Sequence, residues 1–502
     1  MIIDTGGRKG RALLMLLVCA AAALPFLAVK FAPVTDLPQQ VSQLRLLAEA
    51  SGDPASPYTV EWLAPNHLSY ALLGLCWALF SPLAVGRIAL CLTAFIFFAG
   101  VHHLAMIRNR PVSSAILSSA FFFGPSLYWG FYGFLLGFPM FLFFVSEVAG
   151  EDFEKRPFGE KTALGFALWG LLLFSHSLWF AAGLLWFGLR LIFFREKRRF
   201  ALPLAIGILP FALFAGYWYL KLRDSGFESP SKMAVMPWER LAPSWFAEWS
   251  LGGLEGWFEP VFLVLVLIWI IAGLWQARGE IRKRVDPELL LPAGLFLLAA
   301  LLLPYVSSNT TLFAQRWLSP ALVLLLLGLP APSIKPLAGT ALALAAFASL
   351  ALFTTIAWKE VEKNEYSGLE EVLAALPDNS SVLGLDYLQQ SKYLKTQRPF
   401  LQTFAYAQAV KGATLSFSFA DYANSLVYYS PKRERPWTRQ LTWFPQNLKT
   451  GDLKYFTHVI AGGTEETHAS LRKTGYFEPV TDSGAWRLYR SKLWGSSGEK
   501  GE

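Results

Sequence analysis

The sequence FAPVTDLPQQVSQLRLLAE, residues 31–49, organises the rest of the chain because it begins where the first long apolar segment, residues 12–32, ends. The acid nearest that segment is Asp36, and Pro38 restrains the backbone two positions later. Apolar residues then recur at helical spacing, at Leu37, Val41, Leu44 and Ala48. The pattern predicts a short amphipathic helix that lies along the bilayer surface, with Asp36 at its N-terminal end.

Two interpretations of Asp36 are open at this point. An acid at the start of a helix accepts hydrogen bonds from unpaired N–H groups and complements the helix dipole, so Asp36 can serve as a cap alone. A carboxylate at the membrane edge can instead act as a base. The remaining sequence bears on the choice between these two roles.

The composition is that of a polytopic membrane protein. Of 502 residues, 54% are hydrophobic, 15% are aromatic and only 16% are charged. Mean hydropathy is +0.39. Residues 12–32 follow three basic residues and are about twenty residues long, which is typical of an uncleaved membrane anchor. The three cysteines lie in apolar segments, so we expect no disulfide in the soluble part.

Basic residues fall in short clusters between the apolar segments, so the net charge of +8 does not indicate nucleic-acid binding. The positive-inside rule assigns these clusters to the cytoplasm. They are Arg8/Lys9/Arg11, Arg108/Arg110, Lys155/Arg156/Lys161, residues 195–199, residues 278–284 and Lys335. The alternation predicts eleven spans, with the N-terminus inside and the C-terminus outside, if residues 65–80 lie in the outer interface rather than cross.

The predicted transmembrane domain covers residues 1–358 and includes two large outer loops, residues 33–82 with interfacial helices and residues 221–259. Residues 359–494 have polar, mixed-charge composition and predict an extracytoplasmic α/β domain, followed by a disordered tail at 495–502. The predicted elements of that domain are a helix at 369–376, a turn at 378–380, strands at 381–385 and 458–461, and a hairpin from 477–480 to 486–489. The sequence contains no nucleotide-binding glycine motif and no zinc motif.

Polar residues in apolar context are candidate site residues, because each is costly to place in a membrane. Arg87 opens the predicted second span and Arg316 the tenth, both at the outer end, where a guanidinium binds a lipid phosphate through two parallel donors. His176 lies in the apolar turn LLLFSHSLWF, and His67 lies in the predicted interfacial helix. The alternative roles for these four residues are snorkelling, structural ion pairing and structural hydrogen bonding.

Aromatic residues also have two interpretations each. Four tryptophans in loop 221–259 suit stacking against sugar rings, and they equally suit the interfacial aromatic belt. The Phe-rich segments 121–123 and 138–144 suit an isoprenoid groove, and they equally suit core packing.

This arrangement resembles the integral-membrane glycosyltransferases of the GT-C fold, which take sugars from polyprenyl-phosphate donors on the outer side of the membrane. In architecture it is similar to the bacterial aminoarabinose transferase and protein mannosyltransferase group. The resemblance covers the whole chain: a first span, a large first outer loop with interfacial helices, further spans and a C-terminal α/β domain outside.

The resemblance assigns roles to individual residues. In that family an Asp, or an Asp-Glu pair, in the first outer loop is the catalytic base, and Asp36 in TDLPQQ matches it. Relatives often have a His shortly after Asp-Leu-Pro, where this chain has Gln39 and Gln40, and we assign a substrate contact to Gln40. An Arg just before a late span is commonly a ligand of the donor phosphate, and Arg316 is similar to it.

The resemblance implies transfer of a sugar from a polyprenyl-phosphate donor to a hydroxyl of a lipid, glycan or protein acceptor, at the outer face of a bacterial inner membrane. We expect the transfer to invert the anomeric configuration. Asp36 is the expected general base, Arg316 and Arg87 the expected phosphate ligands, and His176, His67 and Gln40 further substrate contacts. Few acids lie near Asp36, so we expect no metal cofactor, although some members of the fold use a divalent cation.

Two non-enzymatic functions are the alternatives: a transporter or flippase for lipid-linked saccharides, and an envelope assembly protein. Transporters usually show inverted repeats and polar groups near the bilayer midplane. The sequence contains no convincing repeat, and its embedded polar residues cluster at the predicted outer rim.

Overall fold

The computed structural model describes residues 8–52, 55–194, 196, 198, 201–224, 231–307, 310–396 and 398–495. The chain is a multi-pass membrane protein with a β-sheet region at its C-terminal end. Within the described residues, six helices are long and apolar enough to cross a membrane. They are Gly10–Ala28, Pro82–Ile107, Tyr132–Ala149, Ala201–Arg223, Phe258–Ala277 and Pro336–Glu365.

The other predicted spans are helical segments that are shorter or less apolar. They are Val112–Tyr128, Phe158–Ser175, Ser177–Phe193, Pro287–Leu302 and Gln315–Gly328. Helical segments therefore occupy all eleven predicted span positions. The helix Leu68–Leu79 has 12 residues. At 1.5 Å per residue this helix is about 18 Å long, well short of the ~30 Å hydrocarbon core. That length favours its prediction as an interfacial helix.

The helices of the first half are α1 (Arg8–Ala28), α2 (Leu37–Gly52), α3 (Leu68–Leu79), α4 (Pro82–Ile107), α5 (Val112–Ser119), α6 (Pro125–Tyr128), α7 (Tyr132–Ala149), α8 (Glu151–Lys155), α9 (Phe158–Ser175), α10 (Ser177–Phe193) and α11 (Ala201–Asp224). Those of the second half are α12 (Pro243–Ser250), α13 (Phe258–Ala277), α14 (Ile281–Arg284), α15 (Pro287–Leu302), α16 (Leu318–Gly328), α17 (Pro336–Glu360), α18 (Leu369–Ala375), α19 (Tyr406–Lys411) and α20 (Glu465–Lys473).

The strands are β1 (Tyr58–Val60), β2 (Val306–Ser307), β3 (Thr310–Thr311), β4 (Ser381–Asp386), β5 (Thr414–Leu415), β6 (Val427–Tyr429), β7 (His458–Gly462), β8 (Phe477–Pro479) and β9 (Trp486–Ser491). Five of them form one mixed sheet in the order β5-β4-β7-β9-β8, in which β4 runs parallel to β5 and β7. The predicted helix, turn, two strands and closing hairpin are all confirmed. Residues 496–502 of the predicted tail lie outside the described residues.

The bundle core is built from aromatic side chains of α4, the α5–α6 connection and α17. Phe98 packs edge-on against Phe122 and Phe347, with ring centroids 5.8 and 5.7 Å away. Phe121, Phe122 and Phe123 are at most 2% exposed. The Phe-rich segment 121–123 therefore serves the core rather than an open groove.

A charged cluster joins α4 to α15 at the end of the bundle away from the C-terminal sheet. Asp286 caps α15, accepting a hydrogen bond from Glu288 N, and it receives two hydrogen bonds of 2.7 Å from the Arg108 guanidinium. Because the pair is bidentate and Asp286 is buried, it fixes the loop after α4 against the start of α15.

Helix α2 lies deeper than its pattern predicted. Its polar residues Gln39, Ser42 and Gln43 are fully buried, because the C-terminal region covers the face that was expected to be at the surface. Strand β1 of the first outer loop also pairs antiparallel with β6, so that Tyr58 lies opposite Tyr429. The first outer loop is thus held by the C-terminal region along its length.

Candidate active site

The described residues enclose a cavity of about 450 Å³ where the helix bundle meets the C-terminal region. Five of the six predicted site residues line this cavity. They are Asp36, Gln40, His67, His176 and Arg316. Side chains up to 280 positions apart in sequence therefore converge on one space.

Asp36 is positioned by a close contact with the turn between α6 and α7. Thr35 N donates to Tyr128 O at 2.9 Å, and Asp36 N donates to Trp129 O at 3.2 Å. Gly130 follows with φ +76°, and a Cβ there would lie 2.9 Å from Asp36 N and 3.2 Å from Asp36 Cβ. Glycine is required at 130 both for this dihedral angle and for this approach.

The Asp36 carboxylate accepts no hydrogen bond from the described residues, so it does not cap α2 through its side chain. Only its main-chain oxygen serves the helix, accepting from Gln40 N at 3.1 Å. Burial raises the pKa of Asp36 to about 7, and the Arg316 guanidinium opposes that rise without reversing it. A carboxylate with such a pKa is well matched to general-base work near neutral pH.

Arg316 is held in a fixed orientation beside the cavity and is 4% exposed. Its Nε donates to Leu312 O at 3.2 Å, and its Nη2 donates to Thr311 O. Its Cζ lies 4.1 Å from the centroid of the Phe131 ring. Nη1 has no hydrogen-bond partner within the described part of the chain. Arg316 and Asp36 form no ion pair there either, so both charges are left for a ligand.

The two histidines lie on neighbouring segments of the cavity wall. His176 Nδ1 accepts a hydrogen bond from Leu178 N at 3.1 Å, which leaves the proton of the neutral ring on Nε2. Burial and the Arg316 guanidinium lower the pKa of His176, so the ring is neutral. Asn66 Oδ1 accepts from Ser177 N at 2.7 Å and thereby ties the His67 segment to the His176 turn.

Gln40 is one turn beyond Asp36 on α2. Its Nε2 donates to Gly130 O at 2.6 Å, and its buried Oε1 accepts no hydrogen bond among the described residues. A cavity-lining acceptor left open in this way suits a ligand hydroxyl.

Arg87 lies apart from the other predicted site residues. It does not line the cavity, and its Nη1 donates to Val29 O at 2.7 Å, which fits a structural contact between α4 and the end of α1. If Asp36 is not the base, Glu61 and Asp53 of the same loop are the alternative acids. Glu61 pairs with Lys221 at 2.5 Å and does not line the cavity. Asp53 lies outside the described residues.

The cavity does not fit a divalent cation well. Asp36 is the one acid among the described residues that line it, whereas Mg²⁺ and Ca²⁺ bind through several oxygen ligands. Across the described ranges, no three His, Cys, Asp or Glu residues are grouped to hold a metal ion. Metal independence of the protein stays a prediction.

The sequence reasoning missed the aromatic wall of the cavity. Trp129 stacks on Phe131, with centroids 6.1 Å apart, and on Trp443, with centroids 6.5 Å apart. None of the tryptophans of loop 221–259 lines the cavity. The C-terminal region supplies further lining, including Gln402 and Tyr422. The run from 417 to 443 is rich in aromatic and basic residues. Because it lies far from Asp36 in sequence, its place in the cavity wall could not be inferred from the sequence.

Comparison with known proteins finds solved structures that share this architecture. No protein-family model matches the chain, and no curated protein matches its sequence. ArnT from Cupriavidus metallidurans in the apo state is similar in structure, at TM-score 0.55 and 13% identity, over 97% of this chain and 99% of that chain. ArnT bound to undecaprenyl phosphate gives TM-score 0.54 and 13% identity, over 97% of this chain and 100% of that chain.

The arabinofuranosyltransferase AftD from Mycobacteria aligns with 97% of this chain but 40% of its own, at 14% identity and TM-score 0.46. The two ArnT structures carry the conclusion, and at their level of identity that conclusion concerns the fold. The chain has the fold of ArnT, which confirms the GT-C fold predicted from the sequence.

The raised pKa of Asp36 predicts how stability depends on pH. The folded state holds this proton to about pH 7, whereas an unfolded Asp releases it near pH 3.9. Between these values the folded state binds more protons, so the free energy of unfolding falls as pH rises. The Asp36→Asn variant lacks this loss. The difference in free energy of unfolding between the variant and the wild type should therefore shift in favour of the variant, by roughly 1 to 4 kcal/mol, from pH 5 to pH 8.

Denaturant unfolding of both proteins at pH 5, 6, 7 and 8 measures the difference. Asp152→Asn, which removes an exposed carboxylate on α8, serves as the matched control. If the free energies of unfolding of the wild type and Asp36→Asn change in parallel with pH, burial does not raise the pKa of Asp36.

Proposed function

We propose that the protein is a membrane glycosyltransferase that moves a sugar from a polyprenyl-phosphate donor to an acceptor hydroxyl. The observation that carries this proposal is that Asp36 and Arg316 line one cavity, with no ion pair between them. A base and a phosphate-binding cation are the two charged groups that such a displacement needs. The shared fold supports the proposal, since one of the ArnT structures contains undecaprenyl phosphate.

The proposed reaction is a direct displacement. The acceptor hydroxyl oxygen attacks the anomeric carbon, and its proton passes to the Asp36 carboxylate. The bond between the anomeric carbon and the phosphate oxygen breaks, and its electron pair leaves with the polyprenyl phosphate. The departing phosphate gains one negative charge, which the Arg316 guanidinium balances. A single displacement inverts the anomeric configuration.

Three neutral groups orient the substrates in this proposal. The Nε2–H of neutral His176 is a hydrogen-bond donor toward the cavity, and the open Gln40 Oε1 is an acceptor for a sugar hydroxyl. His67 contacts Tyr70 edge-on, with centroids 5.8 Å apart, and closes the side formed by the first outer loop. The stacked rings of Trp129 and Phe131 offer apolar faces to a sugar ring.

The proposed location is the inner membrane of a bacterium, with the cavity and the C-terminal domain on the outer side. The described basic residues Arg108, Arg110 and Arg284 support this orientation, because they meet at the end of the bundle away from the cavity. The acceptor is a lipid, glycan or protein reached from that side.

Accessibility labelling tests the orientation. A membrane-impermeant maleimide applied to intact spheroplasts should label Glu466→Cys and Lys473→Cys, in α20 of the C-terminal region. It should label Lys283→Cys, in the short basic helix α14, only after permeabilisation. The native cysteines Cys19, Cys76 and Cys91 are buried, so background labelling should be low. A C-terminal region reached only after permeabilisation would contradict the proposed side of the reaction.

Arg316→Lys tests the phosphate site. Lysine keeps the charge but loses the planar fork and the stacking on Phe131, so affinity for undecaprenyl phosphate should fall at least about tenfold. Titration of the purified protein with undecaprenyl phosphate in nanodiscs measures this. Arg87→Lys is the comparison, and we expect unchanged affinity because Arg87 does not line the cavity. Unchanged affinity in Arg316→Lys and Arg316→Ala would remove Arg316 from the phosphate site.

Asp36→Asn tests the base. Asn preserves size and helix compatibility but cannot take a proton, so turnover should fall roughly 10²-fold or more while undecaprenyl-phosphate affinity is retained. The assay is release of undecaprenyl phosphate from a panel of undecaprenyl-phosphate sugars, in the presence of cell-envelope lipid and glycan extracts. Glu61→Gln, at another acid of the first outer loop, is the control. Turnover near the wild-type value in Asp36→Asn would transfer the role of base to another group.

A further inference from the structure

A second cavity of about 290 Å³ lies in the C-terminal region directly beside the first. Phe417, Tyr422 and Trp443 line both cavities, so these three aromatic residues form part of the wall between the two spaces. The second cavity is formed by residues 416–443 and includes no residue of the membrane spans. It is therefore open to a water-soluble group rather than to a lipid tail.

Aromatic rings connect the second cavity to the proposed phosphate site without a break. The Arg316 guanidinium lies over Phe131, Phe131 stacks on Trp129 with an interplanar angle of 19°, and Trp129 stacks on Trp443 with an angle of 24°. Trp443 then forms part of the wall of the second cavity. Aromatic faces pack favourably against the C–H faces of sugar rings, so this row suits a saccharide longer than one unit.

The far wall of the second cavity is basic. It carries Arg435 and Arg439 from the run PKRERPWTRQ, residues 431–440, and no acid is among the described residues that line it. Asp421 accepts two hydrogen bonds from Arg433, at 2.9 and 3.1 Å, so its contact with Arg435 at 3.4 Å is the weaker one. Arg439 is exposed and forms no ion pair with any described residue.

These two arginines therefore have donors left for an external oxyanion. A guanidinium binds phosphate or carboxylate through parallel donors, and Trp437 lies beside the pair to exclude water from one side.

We infer that the second cavity is a subsite for the acceptor, and that the acceptor is a saccharide carrying an oxyanion. This inference rests on the proposed function and adds the chemical class of the acceptor to it. Arg435 and Arg439 hold the oxyanion, Trp443 and Trp129 take the sugar faces, and the acceptor hydroxyl reaches Asp36 on the other side of Tyr422. The oxyanion is a phosphate ester or a uronate carboxylate, since the same donors serve both.

Direct binding of small probes to the full chain in nanodiscs tests the inference. Glucose 6-phosphate, glucuronate, glucose and inorganic phosphate are compared by saturation-transfer difference NMR, with dissociation constants from titration. We expect one or both anionic sugars to bind at least about tenfold more tightly than glucose, and the tighter of the two identifies the oxyanion.

Variants locate the binding. In Arg435→Gln/Arg439→Gln the affinity for the anionic sugar should fall at least about tenfold, and the single exposed change Arg439→Gln should weaken it in the same direction. Trp443→Leu should weaken binding of the anionic sugar but not binding of inorganic phosphate. Arg490→Gln, at an exposed arginine of β9 that lines neither cavity, should leave all affinities unchanged.

Two outcomes would overturn the inference. In the first, inorganic phosphate binds as tightly as glucose 6-phosphate and Trp443→Leu has no effect, which would make the cavity an anion site without saccharide recognition. Alternatively, no sugar probe binds better than glucose while undecaprenyl phosphate still binds the same preparation, in which case the acceptor subsite is wrong and the proposed function stands. Loss of undecaprenyl-phosphate binding as well would count against the proposed function itself.

Discussion

The burial of the polar face of α2 is the constraint on which the rest of the site depends. A buried amide or hydroxyl is costly unless it is hydrogen-bonded, and Gln39, Ser42 and the Gln43 side-chain oxygen each bond to the C-terminal region. Gln39 bonds to Gln402 and to the main chain at Phe417 and Phe419, and Gln43 accepts from Val427 N. The helix that begins after Asp36 is thus fixed between two parts of the chain. Asp36, just before it, is held beside the cavity by main-chain hydrogen bonds, and its carboxylate accepts none from the described residues.

The cavity keeps opposite charges close without letting them neutralise each other. Direct pairing of Asp36 with Arg316 would lower the pKa of the carboxylate and occupy the guanidinium, and both would then be less useful to a substrate. Arg316 is instead held by main-chain carbonyls and by the Phe131 ring. Burial of an unpaired carboxylate costs stability, a common trade-off where a site needs a poised group. The bundle core and the Arg108–Asp286 clamp offset that cost elsewhere.

Much of the fold was predictable because hydropathy and charge alternation report directly on spans, and because short apolar runs between turn residues report on the sheet. Asp36 and Arg316 were predictable because isolated charges at the rim of an apolar segment are rare. The depth of α2 was not, since an amphipathic pattern does not say whether water or another domain covers the polar face. Arg87 satisfied the same pattern as Arg316, yet it bonds to Val29 O, a partner that sequence spacing does not specify. Trp443 and the arginines of the second cavity depend on long-range contacts that the local sequence does not encode.

The pairing of β1 with β6, together with the bond from Val427 N to Gln43, has a consequence for biosynthesis. Gln43 and Val427 are separated by 384 positions. At 5 to 20 residues per second, the ribosome needs roughly 20 to 80 s to supply the second partner after the first. During that interval α2 has left the ribosome, but its polar groups lack their partners from the C-terminal region. The cavity wall beside Asp36 is also incomplete. Until those residues are synthesised, the polar face of α2 bonds to water or to lipid headgroups, so the first outer loop reaches its final packing only after the last quarter of the chain has been made.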